Sequence, residues 1–61
     1  MIDLAKKILQ KVSFDPILFR KELIKSLLWI RDIDEFNRFK EWCQHEFGKK
    51  HPSILQEIFL S

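Results

Sequence analysis

A chain of 61 residues with 46% apolar side chains and six Phe is too hydrophobic to stay disordered, and its length predicts one small domain over residues 1–61. A single cysteine cannot pair within the chain, which excludes a disulfide framework and favours a reducing compartment, so we expect a cytoplasmic location. The net charge of +2 is small for a nucleic-acid-binding protein, and no apolar run approaches the roughly 20 residues of a membrane span.

The N-terminal residues predict an amphipathic first helix over about 2–13, because apolar side chains recur there at helical spacing. Asp15 and Pro16 then mark the start of a second helix over about 16–30. Aspartate is a preferred N-cap residue, and proline suits the first helical position because its missing N–H would have no partner there.

The second helix has a broad apolar arc, and an arc of this width predicts contacts on two sides of the helix. Its members are Ile17, Phe19, Leu23, Ile24, Leu27, Leu28 and Ile30. Leu18 and Trp29 fall outside this arc, among Lys21 and Lys25, and lie about 20° apart in helical projection. These two apolar side chains therefore have no obvious intramolecular contact.

A third helix over about 33–47 is predicted to begin after Asp32, with Glu35 three positions later as in a capping box. Gly48 is expected to end it as a C′ residue, the usual place for a left-handed glycine. A short fourth helix follows over about 52–60. We therefore predict an all-α fold, a compact bundle of three longer helices and a short C-terminal fourth. The apolar stripe of the third helix is Phe36, Phe39, Cys43 and Phe47.

The stretch from 38 to 52 contains the only cysteine and both histidines, so it is the first place to look for catalytic or metal chemistry. Cys43 lies within the phenylalanine stripe, whereas His45 falls about 160° away on the same helix. The two side chains cannot share a proton or a metal ion. Cys43 and His51 would supply at most two of the three or four ligands that zinc requires. We predict an inert, buried Cys43 and no metal or cofactor site.

The acidic residues near the start of the third helix do not indicate an active site, because capping and the helix dipole account for Asp32, Asp34 and Glu35. Phosphate-binding loops and catalytic triads are also missing from the sequence, so we do not expect an enzyme. A helix-turn-helix DNA reader made of the second and third helices is disfavoured. Its recognition helix would present Asp34, Glu41 and Glu46 toward phosphates.

Apolar residues outside the predicted core stripes give the main functional clue. They are Leu18, Trp29, Trp42 and Leu60. They either complete the core of a small bundle or form a partner-binding surface, in which tryptophan is often the central contact. We predict a small intracellular, non-enzymatic protein-interaction or regulatory module, whose partner is another protein or a second copy. The less favoured alternative is a weak nucleic-acid-binding protein that uses the basic N-terminal half, with Lys6, Lys7, Lys11, Lys21 and Lys25.

Overall fold

The computed structural model describes residues 2–59, which contain four helices and no strand. The helices are α1 (Ile2–Val12), α2 (Pro16–Trp29), α3 (Ile33–Phe47) and α4 (Pro52–Phe59). The predicted all-α class, with three longer helices and a short fourth, is confirmed. The chain divides into two compact units, Met1–Ile30 and Arg31–Ser61. The expectation of one domain over the whole chain stays a prediction.

The first unit is a helical hairpin in which α1 packs against α2. A turn of three residues joins the helices, and the Asp15 amide donates to the Val12 carbonyl over 3.0 Å. The Asp15 carboxylate accepts hydrogen bonds from the amides of Ile17 and Leu18, at 3.0 and 3.2 Å, which confirms the predicted N-cap. The buried apolar side chains of this unit are Leu9, Phe19 and Leu23.

The second unit consists of α3 packed against α4. The Asp32 carboxylate accepts from the Glu35 amide at 3.2 Å, so the predicted start of α3 is confirmed. The ring of Phe36 meets that of Phe59 edge-on, with centroids 5.9 Å apart, which joins the two helices. The buried side chains of this unit are Phe39, Cys43, Phe47 and Leu55.

Gly48 ends α3 in a way that differs from the prediction. Its backbone has φ −59° and ψ −31°, which is right-handed helical geometry, and its amide donates to the Gln44 carbonyl over 3.0 Å. The chain then turns as the amide of His51 donates to the Phe47 carbonyl over 2.8 Å. A β-carbon at position 48 would collide with the Gln44 carbonyl oxygen. Close approach to the carbonyl oxygen one turn earlier in α3, and not a left-handed conformation, explains the glycine.

We expect Gly48→Ala to destabilise the protein by about 1–3 kcal/mol, since the atom that the new methyl group meets is backbone and cannot rotate away. Helix propensity alone predicts the opposite sign, a gain of about 1 kcal/mol, because alanine favours right-handed helical geometry. Urea unfolding of the two proteins decides between these effects. A higher midpoint for the alanine variant would mean that the turn relaxes without cost.

The apolar arc of α2 is covered on one side only, so the predicted contact on two sides is wrong for the described residues. Ile17 and Leu28 are 79% and 75% exposed, and Ile24 is 37% exposed. These three residues recur at i, i+7 and i+11 and lie within about 40° of one another in projection. We call them the outer stripe of α2. The helix that packs on α2 within its unit, α1, leaves the outer stripe uncovered.

Candidate partner-binding surface

An open apolar cleft of about 350 Å³ lies between α1 and α2, within the first unit. The polar residues at its wall are Glu22, Lys25 and Ser26. The apolar residues that line it are Ile2, Leu4, Ala5, Ile8, Trp29 and Ile30. An apolar concavity bordered by a few polar groups is the usual form of a binding site.

Trp29 forms part of the cleft wall, is the one aromatic residue among the described residues that line it, and is 69% exposed. It is the last residue of α2. Leu18 is also exposed and projects on the same side of α2, about three turns before Trp29, although it does not line the cleft. The sequence-based grouping of Leu18 with Trp29 therefore corresponds to two exposed side chains on one side of one helix. Their role in binding stays a prediction.

The polar groups of the cleft wall have partners within α2. The Lys25 Nζ lies 3.7 Å from the Glu22 Oε1, and the Ser26 hydroxyl donates to the Glu22 carbonyl over 2.8 Å. Glu22 is largely covered whereas Lys25 is mostly exposed, and an exposed pair of this kind contributes at most about 1 kcal/mol. Lys25 is therefore available to an incoming negative charge at little cost.

The outer stripe is a second exposed apolar feature of α2, and the sequence reasoning assigned its residues to the core. Lys21 lies between Ile17 and Ile24, so the series from Ile17 through Lys21 and Ile24 to Leu28 has the 4-3-4 spacing of a helix-pairing seam. Lys25 lines both the cleft and a groove beside the stripe, and so separates the two apolar features. The 4-3-4 spacing is the feature of the sequence that could have indicated an exposed stripe on α2.

Four of the five lysines of the proposed basic surface are exposed, and Lys6 is half-buried. Lys7 and Lys11 follow the cleft residue Leu4 at i+3 and i+7, which places them on its side of α1. Lys6 projects about 160° from Leu4 but follows another cleft residue, Ile2, at i+4. The exposed lysines are Lys7, Lys11, Lys21 and Lys25.

Trp42 lies in the second unit and contacts aromatic neighbours of its own helix. Its ring stacks on Phe39 at 6.0 Å between centroids and meets Phe47 edge-on at 5.5 Å. The side chain is half-buried, so these contacts give it an intramolecular role. Its predicted role in partner binding stays a prediction, and we do not include it in the proposed surface. Leu60, the fourth predicted residue, lies outside the described residues.

The residues between 38 and 52 do not assemble into a reactive group. Cys43 is fully buried, whereas His45 is exposed, with its Nδ1 3.9 Å from the Glu46 carboxylate. Among residues 2–59, no three His, Cys, Asp or Glu side chains are grouped so that they would hold a metal ion. The separation of the thiol from the imidazole agrees with the helical projection.

The Cys43 thiol is expected to react slowly with a thiol reagent at neutral pH, because reaction requires the thiol to reach solvent. If opening costs about 3 kcal/mol, labelling of the native protein is on the order of 100-fold slower than in urea. A Gln44→Cys variant in a Cys43→Ala background is the matched control, since Gln44 is exposed on the same turn. Equal rates for the two cysteines would show that Cys43 is accessible.

Comparison with known proteins gives no assignment: the chain matches no family model, no curated protein and no solved structure. No helix within residues 2–59 has both the length and the apolar character needed to cross a membrane. The exposed apolar surface of the first unit is the feature that bears on function.

Proposed function

We propose that this chain is a protein-interaction module that binds its partner through the cleft side of the α1–α2 hairpin, with Trp29 as the central contact. The observation that carries the proposal is the exposure of Trp29 at the wall of an apolar cleft. Tryptophan is the residue type most often found at the energetic centre of protein interfaces, and contiguous exposed apolar surface marks such interfaces. The cytoplasm is the expected location.

The number of exposed apolar side chains in the first unit supports the same function. Leu4 is 61% exposed, and the outer stripe adds two residues that are exposed still further. Full burial of a large apolar side chain contributes about 1.5–3 kcal/mol, and these residues forgo most of that in the isolated chain. A partner in the cleft would recover this free energy for Leu4, whereas the outer stripe lies beyond Lys25 and would need a second contact.

Replacement of Trp29 by alanine tests the proposal. Peptides are selected from a displayed library of random helical sequences on the immobilised protein, and their affinities for both proteins are then measured. The mass of each protein is measured in parallel by light scattering at several concentrations, which reports self-association. We expect the variant to keep its helical circular dichroism and its urea midpoint, and to bind about 30-fold more weakly, the equivalent of about 2 kcal/mol.

Ile17→Ala is the matched control, because Ile17 is 79% exposed on the same helix but does not line the cleft. Its truncation should leave affinity and mass unchanged. A folded Trp29→Ala protein with the peptide affinities and the mass of the wild type would refute the proposal. An unfolded variant would also refute it, because the ring would then belong to the core.

Nucleic acid is the second candidate partner, supported by the four exposed lysines of the first unit, of which Lys25 lines the cleft. Trp29 is the one aromatic ring among the described residues that line the cleft, and the exposed Phe14 lies in the turn before α2, so the two rings are far apart in the sequence and make a poor platform for stacked bases. The acidic residues of α3 add no attraction for phosphates. We therefore favour a protein partner.

A further inference from the structure

We infer that the partner is an amphipathic helix of a different protein, with carboxylates on both sides of its apolar face. The inference rests on the proposed function, since it names the chemistry of the partner at the same surface. A helix laid into a groove inserts apolar side chains at i, i+3 or i+4 and i+7, and the cleft is large enough for a few such side chains.

The positive charge around the cleft favours a partner helix with acidic residues beside its apolar face. Residues 1–30 contain six Lys or Arg and three Asp or Glu. Asp15 is engaged as the N-cap of α2, and Glu22 is largely covered beside Lys25. Lys25 lines the cleft on α2, and the exposed Lys7 and Lys11 lie on the side of α1 that carries the cleft residue Leu4, where they outnumber the exposed Asp3. Carboxylates on a partner would meet cations along both rims, which favours fast and specific association.

A second copy of the chain does not supply this partner from its described residues. Pairing of two outer stripes would bring Lys21 and Lys25 of both copies into one interface, at a cost in repulsion. The acidic helix α3 has only one large apolar side chain with a high exposure, Ile33. One apolar residue does not form the stripe of three that a helix needs to fill a cleft.

The shape of the surface favours a helix over a lipid bilayer. A membrane interface accepts a continuous apolar face, whereas Lys25 separates the cleft from the outer stripe and Glu22 lines the cleft itself. Burial of the Glu22 carboxylate in lipid would be costly, but the backbone and side chains of a partner helix leave its pair with Lys25 partly hydrated. A concave apolar cleft fits the side chains of a protein.

Three synthetic peptides of 18 residues test the inference. The first has an apolar stripe flanked by Glu, the second has the same stripe flanked by Lys, and the third is a scrambled form of the first. Trp29 is the reporter, in a Trp42→Phe background whose fold is checked by circular dichroism. We expect the Glu-flanked peptide to move the Trp29 emission to shorter wavelength, and to bind at least about tenfold more tightly than the other two at low salt.

Charge reversal on α2 sharpens the test. In a Lys21→Glu, Lys25→Glu double variant, α2 becomes acidic while α1 keeps Lys7 and Lys11, so the preference for the Glu-flanked peptide should be lost. The matched control is Lys49→Glu, Lys50→Glu, which makes the same change of charge in the second unit and should leave the preference as in the wild type. Added salt should lower the affinity of the Glu-flanked peptide more than that of the scrambled peptide, because only the Glu-flanked peptide aligns its charges with the lysines.

The outcomes separate the inference from the proposed function. Peptides that need Trp29 but show no charge preference would overturn the inference and leave the interaction module standing. Failure of every peptide, including those selected from the library, would overturn both. The inference is also overturned if a single-stranded oligonucleotide or anionic phospholipid vesicles shift the Trp29 emission as strongly as the Glu-flanked peptide, or if light scattering shows a dimer held by the same surface.

Discussion

Replacement of Phe19 by alanine is expected to unfold the protein at 25 °C. Phe19 is fully buried in the first unit, and truncation of a buried phenylalanine to alanine costs about 3–5 kcal/mol through lost transfer energy and the cavity left behind. A chain of 61 residues has a total stability of only about 3–9 kcal/mol. The loss is therefore comparable with the whole free energy of unfolding.

Phe14→Ala is the matched control, since it removes the same side chain from a position that is 74% exposed. We expect this change to cost at most about 1 kcal/mol. Circular dichroism at 222 nm during urea unfolding measures both variants. Similar midpoints for the two would mean that Phe19 is not the core residue that its burial indicates.

The starts of α2 and α3 were predictable from the sequence because their signals are local. Asp15 with Pro16, and Asp32 with Glu35, place a carboxylate where the first amides of a helix lack partners, and both caps are formed in the structure. A cap involves only a few neighbouring residues. No knowledge of the tertiary fold is needed to read it.

The coverage of α2 and the conformation of Gly48 were not predictable in the same way. A helical projection shows which side chains share a side, but it does not show whether another helix packs there, so Ile17 and Leu28 were assigned to the core. At Gly48, a left-handed residue and a close approach of backbone both require a missing β-carbon. Both explanations predict a glycine at this position, so the sequence does not distinguish them.

The two tryptophans were equivalent in the sequence reasoning, since both lie outside an apolar stripe, and the structure separates them. Trp42 has Phe39 three residues before it on α3, a spacing at which side chains meet on a helix, and their rings are stacked. Trp29 has Lys25 and Ser26 at the corresponding positions. The aromatic neighbour was a readable signal for an intramolecular role of Trp42, and attention to spacing would have found it.

Trp42→Ala is therefore expected to destabilise the protein by about 2–4 kcal/mol, whereas Trp29→Ala costs less than about 1 kcal/mol. The half-buried ring of Trp42 loses its burial and two aromatic contacts, each of which contributes about 0.5–1.5 kcal/mol beyond the buried area. Trp29 loses little, because most of its ring already contacts solvent.

Trp42→Phe is the control that keeps an aromatic ring between Phe39 and Phe47, and it should recover most of the stability that Trp42→Ala loses. Urea unfolding of Trp42→Ala, Trp42→Phe and Trp29→Ala gives their order of stability directly. If Trp42→Ala were as stable as the wild type but bound the selected peptides more weakly, Trp42 would belong to the binding surface after all. If instead Trp42→Ala loses stability and its remaining folded fraction binds the selected peptides as the wild type does, the role of Trp42 is to stabilise the second unit. Trp29 is then the tryptophan available for contact with a partner.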